Sequence, residues 1–152
     1  MFFEFISFGK FKKEYLAACN GIFDKKFGTI SLPIARKENS IIERCISENG
    51  QPSTTHYEVI KEFNGYSLVK CILETGRTHQ IRVHMAAIGH PLIGDDLYGS
   101  ISDLIDRQAL HCYNLQFVHP VNNNVLNFYG ELPIDFKIFY FFICLEFFNF
   151  LQ

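Results

Sequence analysis

Apolar and polar positions change period several times along the chain, and each change marks an element. Gly9 to Gly21 runs from Lys10, Lys12 and Lys13 into Tyr15-Leu-Ala-Ala-Cys and closes at Asn20-Gly21, a strand ended by a turn. Residues 28–34 suit an edge strand, because Pro33 has no amide to give to a ladder. Arg36 to Pro52 is polar and broken by Asn49-Gly50, which reads as a loop with a short strand around Ile41 to Ile46. Thr54 to Phe63 and Tyr66 to Thr75 are β-rich runs on either side of Asn64-Gly65, a dipeptide that tolerates the positive φ values of a type I′ hairpin turn.

The period then lengthens. Thr78 stands where an N-cap belongs, Ile81, Met85 and Ile88 recur at helical spacing, and Gly89 with Pro91 supplies the stop. A short helix around Ser102 to Arg107 and a second hairpin, Leu110 to Phe117 with Val125 to Tyr129, complete the pattern before Leu132 to Phe136 closes the domain. Local strand pairs with few helices predict an α+β fold on an antiparallel or mixed sheet with flanking helices. Two regions are expected: a domain over residues 1–137 and a Phe-rich hydrophobic tail over 138–152.

Composition narrows the class. A chain of 152 residues, 48% hydrophobic and 20% charged, fits one globular domain and excludes a disordered chain. A net charge of −2 advertises no nucleic-acid partner, so only a local basic patch could supply one. The five cysteines contain no Cys-x-x-Cys pair, which favours reduced thiols and an intracellular setting, cytoplasmic or organellar. Met1 to Phe8 is apolar but short and carries Glu4, so a secretory peptide is not expected. The tail falls short of the ~20 apolar residues of a spanning helix and contains Glu146, leaving a docked helix, a membrane-surface contact or an aberrant gene-model end. Of these, membrane contact is not favoured.

Candidate chemistry concentrates between Leu73 and Gly99. His79, His84 and His90 match no zinc spacing, and no Cys or Glu completes a ligand set, so no metal is expected. There is no Gly-x-Ser-x-Gly elbow, no P-loop and no Gly-x-Gly-x-x-Gly, and no cofactor is expected. Arg77 falls at the strand-to-helix turn, where open backbone amides favour anions. Arg82, flanked by Ile81 and Val83, reads as a partly buried arginine in need of a carboxylate. His84 and His90 read as structural.

The motifs in this stretch, Glu-Thr-Gly-Arg77-Thr-His79-Gln80-Ile-Arg82-Val-His and Gly-His-Pro-Leu-Ile-Gly-Asp95-Asp-Leu-Tyr98-Gly, resemble the signature of the RluA-type pseudouridine synthases. Lys13-Glu-Tyr15-Leu-Ala, Gly28-Thr-Ile with Pro33-Ile34 and Arg36, Thr55-x-Tyr57-x-Val59, Arg107-x-Ala-Leu-His111, Phe117-x-His119-Pro120 and Leu132-Pro133-x-Asp135 follow in the family's order, so the resemblance runs from about Phe8 to Phe136. It implies a cofactor-free and metal-free isomerisation of uridine to pseudouridine in rRNA or tRNA, and a monomer if intact. It also implies that an Asp is the central catalyst, that Arg82 pairs with it, and that Tyr15 packs on the target base or removes its proton. Arg77, His79, Gln80 and Lys13 would face the RNA. The family's His-Arg-Leu-Asp-x-x-Thr-Ser-Gly segment is absent from this sequence, so the chain resembles a C-terminal part of a synthase domain, inactive alone. A non-catalytic RNA-binding remnant and an incomplete gene-model product are the alternatives.

Overall fold

The computed structural model describes residues 11–99 and 101–149, with side chains through Phe141 in the last helix. The expectation about Met1 to Phe8, and the side chains of Phe147, Phe148 and Phe150, lie outside the described residues. Eight strands and two helices follow in the order β1 (Phe11–Asn20), β2 (Phe27–Ser31), β3 (Ile34–Arg36), β4 (Arg44–Ile46), β5 (Thr54–Phe63), β6 (Tyr66–Leu73), α1 (Gln80–Ala87), β7 (Leu110–Val118), β8 (Val125–Tyr129) and α2 (Ile134–Asn149). Six strands form one sheet in the order β2-β5-β6-β1-β7-β8, and β3 with β4 forms a separate small hairpin. Every pairing is antiparallel, which resolves the antiparallel-or-mixed expectation.

The β5–β6 turn forms at Asn64-Gly65, with φ of 44° and 80°, the left-handed conformations its sequence predicts. β1 lies at the centre between β6 and β7, and alternation sends its side chains to two different cores. Ala17 and Cys19 face Val69, Cys71 and the helix residues Ile81 and Met85, with Tyr15 and Ile88 packed at the margin. Ala18 faces Ile93, Ile105, Ala109, Phe136 and Phe139 on the opposite side. The apolar stripe of α1 thus does what its spacing predicts.

Two expectations change. Residues 102–107 are not helical: the Ser102 hydroxyl accepts the Leu104 amide, a local bond that competes with a helical turn, and Arg107 is drawn to Asp135 by a two-bond ion pair. Residues 137 and 138 both lie in α2, where Phe136 and Phe139 share one core. The helix also begins one residue later than a Thr78 cap implies, because His79 takes the cap position at φ 59°. Among the described residues no helix is long and apolar enough to cross a membrane.

Candidate nucleic-acid interface

The β6–α1 turn carries most of the candidate residues, and a buried amide holds it. Gln80 is 2% exposed and uses all four of its hydrogen-bonding positions. Its Oε1 accepts from the Thr75 hydroxyl at 2.8 Å and the Arg77 amide at 3.0 Å. Its Nε2 donates to the Thr54 carbonyl at 2.9 Å and to Thr55 Oγ1 at 3.1 Å. The expectation that Gln80 faces RNA is therefore corrected: the side chain has nothing left to offer a ligand, and it fastens the turn to β5.

Arg82 meets a carboxylate within the described residues: Asp95, thirteen residues downstream. Arg82 Nε and Nη2 donate to the two Asp95 oxygens at 2.7 and 2.6 Å, a bidentate pair in which Asp95 is fully buried. Gly94, at φ 69°, makes the close turn that delivers Asp95 inward; a Cβ there would meet the Arg107 carbonyl oxygen at 2.2 Å. Burial pushes the Asp95 carboxyl up, but the Arg82 fork and the amides of Tyr98 and Leu97 outweigh it and hold it below the ordinary range. The Tyr98 ring lies 5.0 Å from the Arg82 guanidinium carbon.

The three histidines go to three places. His84 is buried; its Nε2–H donates to the Leu32 carbonyl, its Nδ1 takes the Thr55 hydroxyl, and burial pushes its pKa down. His90 donates through Nδ1 to the Asn20 carbonyl and stacks on Phe23 at 3.8 Å. Both are structural, as the sequence suggests. His79 alone sits in the surface turn, half-buried, with Nδ1 2.8 Å from the Tyr98 hydroxyl. That hydroxyl also accepts the Arg44 amide at 2.8 Å, so its own proton goes to Nδ1. Burial, with Arg82 and Arg44 nearby, pushes the His79 pKa down and favours the neutral ring this chain of bonds requires.

Tyr15 is half-buried on the α1 side of the sheet, opposite Cys71 of β6 and Cys112 of β7. Burial, and then the Cys112 thiol beside it, pushes its phenol up, so at neutral pH it carries its proton. A protonated phenol here can stack on a base or donate a hydrogen bond. Lys13 is exposed two residues earlier on the same strand, hence on the same face. Because β6 runs antiparallel to β1, its exit toward Arg77 lies at the end of the sheet where Lys13 stands.

Arg77 is the exposed member of the arginine pair. Its Nε donates only to the Pro52 carbonyl, at 3.3 Å. It lines an open cleft of about 380 Å³ together with Arg36 and Arg44 of the β3–β4 hairpin, Asn49, Gln51 and Thr78. Sequence reasoning assigned no site role to Arg36 or Arg44, because only the fold of residues 34–51 brings them opposite Arg77.

The sequence profile of the RNA pseudouridylate synthase family matches residues 2–87. This chain belongs to the RluA-type pseudouridine synthase family. The uncharacterized RNA pseudouridine synthase YjbO of Bacillus subtilis is 45% identical over 127 residues, which cover 84% of this chain and 45% of that protein. Ribosomal large subunit pseudouridine synthase D of Haemophilus influenzae is 38% identical over 141 residues, covering 84% of this chain and 43% of that one. Among solved structures, human RNA pseudouridylate synthase domain containing 1 superposes with a TM-score of 0.72 at 33% identity, over 82% of this chain and 56% of that one. The chain thus spans less than half the length of these curated relatives.

Proposed function

We propose that this chain forms the RNA-facing part of an RNA uridine isomerase, with rRNA or tRNA as substrate. The observation that carries the reading is the separation of the two signature arginines: Arg82 is neutralised inside by Asp95, while Arg77 stays exposed, with no carboxylate partner among the described residues, at the sheet end that also bears Lys13. Tyr15, protonated and half-buried on that face, offers a ring for the target base, and a flipped-out uridine would bring its flanking phosphates toward Arg77.

Isomerisation breaks the N1–C1′ bond of the nucleoside, turns the base and forms a C5–C1′ bond; the C5 proton is lost to water and the freed N1 takes up one proton, so the net composition is unchanged. Asp95 takes Arg82 Nε and one Nη2 hydrogen and leaves Nη1 free of that pair, so Arg82 fixes α1 and the turn before it and keeps donors for a further carboxylate. The carboxylate that attacks or steadies the ribose belongs to sequence outside these 152 residues, as the missing Arg-Leu-Asp segment implies.

The test is tritium release from RNA labelled at uridine C5. The 152-residue chain alone is expected to release none. A fusion that places the N-terminal part of YjbO, up to its region of similarity, ahead of this chain is expected to release label. Release by the chain alone would contradict the missing-carboxylate account, and an inert but folded fusion would contradict the isomerase reading.

A further inference from the structure

We infer that the cleft between the β3–β4 hairpin and the β6–α1 turn is a phosphodiester-binding site built from Arg36, Arg44 and Arg77, with Tyr98 as the residue that positions it. The inference deepens the RNA reading above and rests on it for the choice of ligand. Three arginines line one cleft of about 380 Å³, and no carboxylate lines it. The polar groups beside them, Asn49, Gln51 and Thr78, can donate hydrogen bonds without adding negative charge. Arg44 Nη1 donates only to the Ile42 and Glu43 carbonyls, and Arg77 only to Pro52, so both keep donors for a ligand. Among the described residues Arg36 has no ion pair at all. Elsewhere the described arginines behave differently: Arg82 and Arg107 are each closed by a two-bond carboxylate pair. Three like charges gathered without a counter-ion repel one another, and an anion relieves that repulsion.

The hairpin that carries Arg36 and Arg44 is only three residue pairs long and lies outside the main sheet. Two features dock it. Ile34 exchanges backbone bonds with Gln51, which closes the hairpin on itself. The Tyr98 hydroxyl accepts the Arg44 amide and engages His79, two residues from Arg77, which ties one wall of the cleft to the other. Tyr98 in turn leans on the buried Arg82–Asp95 pair. The buried ion pair thus sets the spacing of the exposed cations without touching the ligand.

Two probes test the inference on the full chain: inorganic phosphate, followed by amide and arginine side-chain NMR shifts, and a short single-stranded uridine-containing RNA, followed by affinity across salt. Phosphate is expected to shift signals of Gly76, Arg77, Arg36 and Arg44. Arg36→Gln, Arg44→Gln and Arg77→Gln are each expected to weaken RNA binding roughly tenfold at low salt. Each should also reduce the slope of log affinity against log salt by about 0.7. Tyr98→Phe is expected to weaken RNA binding while chemical denaturation shows a folded protein, and Lys137→Gln, on α2, is expected to change neither affinity nor slope. Normal RNA affinity and slope in all three arginine variants would overturn the inference and leave the RNA reading standing. Phosphate shifts in the cleft without RNA binding would do the reverse, keeping the anion site and removing the RNA reading. Absence of both would remove both.

Discussion

Two arginines five positions apart in one motif have opposite surroundings, and the difference separates structure from recognition. Arg82 lies on the buried face of α1, where both ends of its fork meet Asp95 and its cost of desolvation is offset by a matched pair. Arg77 lies before the helix starts, where the chain is still on the surface, and it lines a cleft with Arg36 and Arg44. Position on the helix decides this, and residue type does not. The sequence already sets the two apart, Arg77 at a turn and Arg82 between Ile81 and Val83; the fold buries one, names its partner and leaves the other open.

The contrast predicts unequal responses to mutation, the largest at the closed pair. Asp95→Ala leaves Arg82 charged and buried with only the exposed Asp96 carboxylate, 3.8 Å away, as a partner, and is expected to cost about 3 kcal/mol of unfolding free energy, read by denaturant titration. A loss below 1 kcal/mol would mean that Arg82 reaches water and that the two arginines are not different in kind.

A second closed ion lies on the opposite face of the sheet and extends the comparison to pH. Glu14 is buried; burial pushes its carboxyl up, but hydrogen bonds from Lys12, Asn114 and Tyr113, with Lys70 close by, outweigh that and bring it down to about 2. A carboxyl depressed in the folded state stabilises the protein above its unfolded value of about 4.5, and the contribution is lost as pH falls from there toward 2. The loss is expected to total about 3 kcal/mol, on the order of 1.4 kcal/mol per pH unit. Acid denaturation curves of Glu14→Gln should lack this component. Superimposable curves for the two proteins would count against the buried cluster.

Gln80 comes next. Gln80→Leu strips four hydrogen bonds from the turn and is expected to cost about 1–3 kcal/mol. The salt dependence of RNA binding should keep its slope, since the amide fastens the turn and meets no phosphate.

Much of the fold was legible in the sequence. Alternation and Asn64-Gly65 locate the β5–β6 hairpin, and Ile81, Met85 and Ile88 locate the buried stripe of α1, because both signals depend on neighbours within one element. The family signature is legible for the same reason: each of its motifs, such as the one that holds Arg77, is contiguous in sequence. What stayed hidden depends on contacts between distant segments. Asp95 reaches Arg82 only after Gly89 and Gly94 reverse the chain, so no helical spacing connects them. Arg44 looks like ordinary surface charge, and Arg36 like one residue of a family match with no role of its own, until a hairpin of short, weakly patterned strands folds against Tyr98. Gln80 reads as a polar motif residue open to a ligand, and only its four buried bonds reveal it as part of the scaffold.

The smallest expected change in stability belongs to Arg77, and it gives the most direct test. RNA affinity of Arg77→Gln should be measured across a salt series beside its denaturant titration. The account predicts unfolding free energy within about 0.5 kcal/mol of the parent chain, with a salt slope shallower by about 0.7. An unchanged slope together with a large loss of stability would contradict it, because Arg77 would then be a second structural arginine and the open cleft would have no cation of its own to give the RNA.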